Sequence, residues 1–548
     1  MQEYYSKLEQ KFEKEIEHPE FLHYMSSFVG YPTPETEEEL ASMSIEQIVD
    51  FMKTWEPENK GIRSPDRSGL SDVLAKDIRK RPQEYIKYLH LFKDVNEPTY
   101  ISTLLNTLWN THQIMPNFIE ICDIIKWTLT KKEEKFEDRE SVFDGDKDWQ
   151  RVYNAAMNIF INYFHNLTGE ESLSKRDINT IKDAYCIIQE ITLMEDSWLK
   201  KQQMSSEEPP IEHYQRAINS LHGDAMTALF QYGMWQNRVN LNLNDVSTHL
   251  EKVLKDNHYL ETYAVIGRHL PWIKSMNEKW FATNLDKLLP EDNNETFDIT
   301  WLCYVHFVQP YTEMYDILKK KFIHALKRNY QKTEDNTDNG GTAMHLAMYY
   351  GRGTITLEDP IFDILLPQQQ ETFEGVSLLS YIGRSLRDDA NKHLEPVYYE
   401  RFKNLWEKYR TTIAKNEQNH KDGLKSFGHW YTSGVFDQKW ALNQLHDIVC
   451  THNIIPTTYG LIDQLIVDVD CDALQSIEIV EKLTMQSDRD FLDITLTNLE
   501  NLFSKIKDTK STDIKEKASK ILENIINSKN NLEICSRLEP IINSLKTT

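Results

Sequence analysis

The chain of 548 residues contains few of the residues that form tight turns and disulfides. It has 18 glycines and 18 prolines, and both fractions lie well below the roughly 7% and 5% that are usual. So few glycines disfavour collagen-like and β-sandwich folds and loops that bind phosphate. The six cysteines form no CxxC pair and lie far apart. This spacing disfavours a disulfide framework or a metal site and predicts buried, reduced thiols.

Long apolar runs are also missing from the sequence. No stretch of about 18 apolar residues occurs, so we predict no membrane-spanning helix and no membrane partner. The first residues, MQEYYSKLEQKFEKEIEH, are charged and amphipathic and lack the apolar segment of a signal peptide. We therefore expect a cytoplasmic protein.

Acidic residues outnumber basic ones, with 86 Asp and Glu against 62 Lys and Arg and a formal net charge of −24. This charge repels a polyanion over most of the surface, so nucleic acid is a poor partner unless a local basic stripe exists. Apolar residues make up 40% and aromatic residues 11% of the chain. This content is sufficient for a packed core and argues against disorder.

Apolar residues recur at helical spacing along almost the whole chain. After Ser44, whose hydroxyl forms a capping-box pattern with Gln47, they follow at positions 45, 48, 49 and 52. Pro82 and Pro98 each precede another amphipathic stretch, where the missing N–H of proline costs nothing. The pattern predicts about twenty or more helices, and the one strand-like stretch is 354–357.

Helices of this number with short connections predict an all-α fold built from stacked antiparallel hairpins, an irregular HEAT-like α-solenoid. Two or three closed helical bundles are the alternative. Polar segments at 131–148, 201–210 and 331–341 are the best points of division. We predict a leading amphipathic helix over 1–30, followed by helical-repeat subdomains over 31–200, 211–410 and 411–548.

Arg352, in the turn Gly351-Arg352-Gly353, is a candidate partner-binding residue. The turn lacks the third glycine of a dinucleotide fingerprint and follows a helix, so it is no nucleotide loop. A guanidinium on a short turn can bind a carboxylate or phosphate. The alternative is an exposed arginine at the C-cap of a helix.

The densest aromatic cluster lies at 427–440. It supplies Trp430, Tyr431 and Trp440 as candidate partner-binding residues, because Trp and Tyr are favoured as interface anchors. Aromatic residues at helical spacing also form cores, which is the alternative.

A basic helix supplies two more candidates, Lys320 and Lys327, which helical spacing places on one face with His324. This face could contact an acidic partner or nucleic acid, whereas the alternative is an ordinary solvated face.

His446-Asp447, between His429 and Asp463, is similar to the ligand pairs of helical metal phosphohydrolases. An all-α metal-dependent phosphohydrolase that uses His446 and Asp447 is therefore one alternative function. The sequence has no Walker loop, no HExxH and no GxSxG motif. We predict no catalytic, cofactor-binding or metal-ligating residue, and no enzyme activity.

Short patches along the chain resemble the C-terminal helical-repeat region of large bacterial anti-phage defence proteins, in which an effector and usually a STAND-type NTPase domain lie upstream. The patches are residues 18–21, 34–40, 43–44, 69–70, 217–220, 223, 225, 310–311, 314, 351–353, 383–384 and 427–440. His222 stands where this resemblance leads us to expect an arginine.

The resemblance implies a HEAT-like superhelix that senses a foreign protein or holds an assembly together, with no catalytic residue in this region. We therefore expect a recognition or scaffold protein, the sensor or assembly arm of a bacterial defence system. Its partner would be an effector, an NTPase subunit or a phage protein. Because Met1 falls where such proteins are in mid-chain, we expect either a piece of a longer protein or a separate subunit. A solenoid that binds nucleic acid remains an alternative, and the oligomeric state stays open.

Overall fold

The computed structural model is helical throughout the part of the chain that it describes. That part comprises residues 32–57, 64–111, 117–136, 139, 145–167, 175–196, 199–200, 210–243, 245–256, 259–328, 340–388, 393–456, 459–486, 496–507, 509, 511–529 and 532–546. These residues form 27 α-helices and no strand, which confirms the predicted all-α class. The strand-like stretch 354–357 forms bends and a turn instead. The predicted helix over 1–30 lies outside the described residues.

The helices fall into two compact units. Unit 1 comprises Met1–Asp196 and Thr227–Asn244, and unit 2 comprises Ser197–Met226 and Asp245–Thr548. The predicted subdomain boundaries near 200 and 410 stay predictions.

The helices of unit 1 pack in two rows. They are α1 (Glu37–Ser42), α2 (Ile45–Thr54), α3 (Arg67–Lys80), α4 (Pro82–Lys87), α5 (Pro98–Asn110), α6 (Phe118–Thr128), α7 (Gln150–Asn166) and α8 (Lys175–Ile191). In one row α1, α3, α5 and α7 each pack against the next. The other row contains α2, the 3-10 helix Leu89–Asp94, α6 and α8.

Helix α10 (Leu221–Arg238) has residues in both units, and the remaining helices belong to unit 2. They are α9 (Pro210–Ala217), α11 (Val246–Asp256), α12 (Leu260–Met276), α13 (Glu278–Leu288), α14 (Asn294–Phe307), α15 (Thr312–Lys327), α16 (Gly341–Gly351), α17 (Ile361–Leu365), α18 (Phe373–Leu386), α19 (Pro396–Ile413), α20 (Lys421–Lys425), α21 (Phe427–Thr432), α22 (Gln438–His446), α23 (Leu461–Asp468), α24 (Ala473–Gln486), α25 (Leu496–Lys507), α26 (Thr512–Lys529) and α27 (Leu532–Lys546). In one row of unit 2, α12, α14, α16, α18, α21, α23, α25 and α27 each pack against the next. In a second row α22, α24 and α26 do the same.

Local signals in the sequence place several helix starts correctly. Ser44 and Gln47 form the predicted capping box at the start of α2, since each side chain bonds to the other residue's backbone N–H. Pro82 and Pro98 lie in the first turns of α4 and α5, as predicted.

A buried cluster of charged side chains stabilises part of unit 1. The Glu97 carboxylate accepts hydrogen bonds from Arg139 at 2.5 and 3.0 Å, and Arg67 Nε lies 2.9 Å from it. The Arg139 side chain is only 5% exposed, and its guanidinium also donates to the Asp146 carbonyl oxygen. Because a buried charge needs a partner, Glu97 is the residue that makes the burial of Arg139 tolerable.

Helices α12 and α14 of unit 2 approach each other closely at Gly267. A Cβ atom at Gly267 would lie 2.2 Å from the Thr300 carbonyl oxygen and 2.9 Å from Cys303 Cβ. Only glycine permits this approach, so Gly267 sets the spacing between the two helices.

Two further predictions concern the membrane and the cysteines. No helix within the described ranges is long and apolar enough to cross a membrane, in agreement with the sequence. All six cysteines are unpaired, and Cys122 and Cys303 are buried. The prediction of buried thiols is wrong for Cys186 and Cys471, which are exposed.

Candidate functional site

Four aromatic side chains form two pairs on α9, on α12 and at the end of α14 and just beyond it in unit 2. Tyr214 stacks on Phe307 with ring centroids 4.0 Å apart, and Trp272 meets Tyr311 edge-on at 6.2 Å. Trp272, Phe307 and Tyr311 are 42%, 39% and 38% exposed. We call these four residues the aromatic patch. Large aromatic side chains exposed side by side are typical of interfaces with other proteins.

Hydrogen bonds hold the Tyr214 side chain and the backbone around Tyr311 in the aromatic patch. Arg268 Nη1 donates to the Tyr214 hydroxyl at 3.1 Å. From α16, the Tyr349 hydroxyl donates to the Tyr311 carbonyl oxygen at 3.2 Å, and His345 Nε2 lies 3.0 Å from the Val308 carbonyl oxygen. Burial lowers the pKa of His345 to about 4, so this ring is neutral at pH 7 and Nε2 carries the proton that it donates. The segment that bears Tyr311 is therefore preorganised, which reduces the entropy lost on binding.

Arg352 lies beside the aromatic patch, at the end of α16. Its backbone N–H donates a hydrogen bond to the Met348 carbonyl oxygen and caps α16, so the predicted C-cap position is correct for the backbone. The side chain is exposed, and Nη1 donates to the Pro310 carbonyl oxygen at 2.5 Å. Since Pro310 precedes Tyr311, this bond joins the Arg352 turn to the aromatic patch.

A second guanidinium lies at the same turn. Arg401 Nη1 donates to the Gly351 carbonyl oxygen at 2.8 Å. Gly353 has a φ of +76°, and a Cβ there would lie 2.4 Å from Arg401 Nη2, so this position requires glycine. The turn thus brings Arg352 and Arg401 to one place on the surface of unit 2.

An apolar pocket opens between the ends of α16 and α18 and the start of α19. Its volume is about 180 Å³, and Ala347, Ile382, Leu386 and Phe402 line it together with Arg352. We call it the Arg352 pocket. An apolar cavity of about 150 Å³ holds a benzene ring, whereas sites for drug-sized ligands begin at about 300 Å³. The pocket therefore has room for one amino-acid side chain and is too small for an organic cofactor.

The cluster at 427–440 is mainly part of the hydrophobic core. Trp430 is fully buried, and its Nε1 donates to the Leu379 carbonyl oxygen at 2.8 Å. Tyr431 is 2% exposed, and its hydroxyl donates to Asp468 Oδ2 at 2.7 Å. Burial raises the pKa of the Asp468 carboxyl, and the Tyr431 hydroxyl bond partly offsets this rise. For both aromatic residues the alternative of a core position is therefore correct. A partner could contact them only if this core opened.

Trp440, the third candidate of that cluster, lies at the surface and is half-buried. Its Nε1 donates to Glu407 Oε1 at 3.0 Å, and Lys403 Nζ lies 5.5 Å from the ring centroid. It is the one candidate of the three that a partner could reach in this structure.

The basic helix α15 pairs much of its own charge. Lys320 and Lys327 are exposed, as predicted. Lys321 between them is 3% exposed and lies 2.6 Å from Asp286 and 2.9 Å from Glu291. These acids weaken the positive potential that nucleic acid would need, and a role for Lys320 and Lys327 stays a prediction.

The structure does not bring His446 and Asp447 to a common centre. His446 Nε2 lies 2.6 Å from Glu478, while Asp447 lies 2.5 Å from Arg410 Nη2 and 3.3 Å from His452. The arginine holds the pKa of Asp447 below its ordinary value against the opposing effect of burial. Because the two side chains belong to separate groups of ion pairs, they cannot share one metal ion in this arrangement.

The other two members of that sequence pattern lie apart as well. His429 Nδ1 lies 3.3 Å from Arg387 Nη1, and burial lowers its pKa to about 4. Asp463 accepts a hydrogen bond from Asn498 at 2.7 Å. Among the residues described above, no group of three or more His, Cys, Asp or Glu side chains is arranged to hold a metal ion.

Sequence reasoning missed the aromatic patch. The available signal was positional, since Trp272 and Phe307 both lie in the last turns of their helices. In the sequence, Pro310 and Tyr311 are marked only by the resemblance. His222, where an arginine was expected, is buried with Nε2 2.5 Å from the Thr262 hydroxyl.

The described part of the chain is thus an all-helical protein with an exposed aromatic patch beside a small apolar pocket. A comparison with protein-family models gives no match to this chain, and neither does a search among curated proteins. Its function has to be argued from its own residues.

Proposed function

We propose that this chain is a non-catalytic recognition or scaffold protein that binds a protein partner through the aromatic patch. The observation that carries the proposal is that Trp272, Phe307 and Tyr311 each keep close to 40% of their surface exposed while they form two aromatic pairs, Trp272 with Tyr311 and Phe307 with Tyr214. Rigid aromatic anchors of this kind contribute most of the energy in many protein interfaces.

The proposal includes an irregular HEAT-like α-solenoid as the architecture. Its support is the packing of α12, α14, α16 and α18, each against the next in one row. In a solenoid, the equivalent ends of successive helices lie along one edge and form an extended binding surface. The aromatic patch and the Arg352 pocket both lie at the C-terminal ends of these helices.

The biological setting that we propose is bacterial anti-phage defence, with this chain as a sensor or assembly arm. The support is the resemblance of its short patches to the helical-repeat region of such proteins. Two of those patches, 310–311 and 351–353, lie at the surface just described. The partner is then an effector, an NTPase subunit or a phage protein.

The test is affinity purification of the tagged chain from its host, with and without infection, followed by mass spectrometry. The double variant Trp272→Ala/Phe307→Ala removes the two anchors, and Tyr459→Ala is the matched control because Tyr459 is 72% exposed. We expect a stoichiometric partner with the wild type and the control. The double variant should lose it, because each anchor contributes about 2 kcal/mol or more.

Two results would contradict the proposal. One is a partner that the double variant retains as well as the wild type. The other is the absence of any stoichiometric partner in both conditions. Circular dichroism of each variant establishes that the helices remain intact.

A further inference from the structure

We propose that the Arg352 pocket binds the C-terminal residue of a partner polypeptide, with its apolar side chain in the pocket and its terminal carboxylate on the Arg352 guanidinium. The inference rests on the proposed function, because it specifies which part of a protein partner this surface takes.

The size and lining of the pocket select the side chain. Its volume of about 180 Å³ exceeds the roughly 150 Å³ that suffices for one benzene ring. Ala347, Ile382, Leu386 and Phe402 present apolar surface to the occupant. A Phe, Leu or Met side chain fits this environment, whereas a charged side chain would lose its hydration without compensation.

The positive charge at the Arg352 pocket favours a carboxylate as the bound group. Within the described residues, Arg352 and Arg401 have no Asp or Glu at ion-pair distance. In contrast, Arg328 in the same unit lies 2.7 Å from Asp298, and Arg410 lies 2.5 Å from Asp447. Arg352 lines the pocket, and Arg401 lies at the same turn through its bond to the Gly351 carbonyl oxygen. Positive charge at this place complements an anionic ligand group.

The Arg352 side chain is also held in one orientation. Its Nη1 is fixed by the Pro310 carbonyl oxygen. The Nε and Nη2 edge of a guanidinium can then form two parallel hydrogen bonds with a carboxylate. This geometry favours a terminal carboxylate over a single neutral acceptor.

The aromatic patch favours a polypeptide over a small apolar acid as the occupant. Arg352 is bonded to Pro310, which precedes the exposed Tyr311, so the aromatic patch lies within reach of the residues that would precede a bound C-terminus. A free small acid would fill the pocket and leave this neighbouring surface uncovered. Capture of a C-terminal carboxylate is a known mode of peptide recognition.

The test measures binding of fluorescein-labelled eight-residue Gly/Ser peptides to the full chain by fluorescence anisotropy. The peptides end in Phe, Leu or Lys, and each is made as the free acid and as the C-terminal amide. N-acetyl-phenylalanine serves as the competing small acid. We expect saturable binding of the Phe and Leu acids, with about tenfold weaker binding of their amides and of the Lys peptide.

Three variants locate the site. Arg352→Gln should weaken binding of the free-acid peptides about tenfold, so that the acid and the amide of each peptide bind with equal affinity. A general loss of structure would not remove only this difference. Ala347→Leu fills the pocket and should abolish binding, while Arg384→Gln, an exposed arginine on α18, should bind as the wild type does. Thermal melting of each variant identifies any that fail to fold.

Equal binding of acid and amide by the wild type would overturn the inference, as would unchanged binding by Arg352→Gln. If N-acetyl-phenylalanine displaces the labelled peptide when both are present at the same concentration, the pocket binds small acids and the polypeptide assignment is overturned. If the co-purified partner binds Arg352→Gln as tightly as the wild type, the inference fails while the proposed function stands. If the wild type retains no partner, the proposed function fails.

Discussion

Replacement of Gly267 by alanine should destabilise unit 2 and disturb the aromatic patch together. The added Cβ would lie 2.2 Å from the Thr300 carbonyl oxygen, and ordinary contact begins at 3.4 Å. The backbones of α12 and α14 must therefore separate by about 1.2 Å (3.4 − 2.2), since a carbonyl inside a helix cannot rotate away. The two displaced helices carry Trp272 and Phe307.

The magnitude follows from two opposing effects at Gly267. Overpacking of a well-filled contact costs about 1–3 kcal/mol. Alanine is a better helix former than glycine by about 1 kcal/mol, which offsets part of that cost. We take the upper end of the cost because the clash is with backbone, and expect a net loss of about 2 kcal/mol in the free energy of unfolding.

Urea unfolding followed by circular dichroism measures this loss. The control is Ser275→Ala, an exposed position on the same helix, which should change the free energy of unfolding by less than about 0.5 kcal/mol. Partner binding by the Gly267 variant should weaken as well. A Gly267→Ala protein as stable as the wild type would refute the close approach of α12 and α14.

Three further predictions concern other parts of the chain. Glu97→Gln leaves the buried Arg139 charge without its anionic partner, so the free energy of unfolding should fall by about 3–5 kcal/mol in urea titrations. His345 has a folded-state pKa of about 4 against 6.5 in the unfolded chain, so the unfolded chain binds more protons. Stability should be full above pH 6.5 and fall as the pH drops towards 4, and His345→Gln should reduce this slope by up to about 1.4 kcal/mol per pH unit. We expect no saturable binding of nucleic acid at physiological salt. If the chain does bind nucleic acid, its affinity should fall steeply with added salt and should be lower still in Lys320→Ala/Lys327→Ala.

Each of these predictions has its own control or contrary result. For Glu97, the control is Lys126→Met, which removes an exposed pair with Asp183 and should cost less than about 1 kcal/mol. An equal effect of both variants would contradict the role given to burial. For His345, an unchanged pH slope would contradict its neutral state in the fold. Saturable, salt-sensitive binding that depends on both lysines would favour the nucleic-acid solenoid.

The hydrolase alternative has a separate test. Metal analysis of the purified chain should find no stoichiometric ion whose retention depends on His446. Retention of such a metal by the wild type and its loss from His446→Ala would favour the phosphohydrolase over a recognition protein.

Local and periodic signals in the sequence were sufficient for the fold class and for several helix ends. The capping box of Ser44 and Gln47 and the helix-initiating Pro98 depend only on near neighbours, and both were predicted correctly. Arg352 was also placed correctly at a helix C-cap, because a Gly-Arg-Gly turn after an apolar stripe is a local pattern.

Burial of particular aromatic residues could not be predicted in the same way. Trp430 and Trp272 both lie on helices, yet the first is fully buried and the second is 42% exposed. The difference depends on which helix covers each ring, and that helix is remote in sequence. Lys321 shows the same limit, because its burial depends on Asp286 and Glu291 outside its own helix. Periodicity identifies an apolar face but does not identify what packs against it.

Hydrogen exchange measured by mass spectrometry, on the full chain alone and with its co-purified partner, tests whether the partner binds at the aromatic patch. We predict that the partner slows exchange in the segments 307–311 and 351–354 and at the end of α12, where the aromatic patch and Arg352 lie. Helices α24 to α27 should exchange at the same rate with and without the partner. Protection confined to α24–α27, with no change at the aromatic patch, would contradict binding of the partner at the aromatic patch.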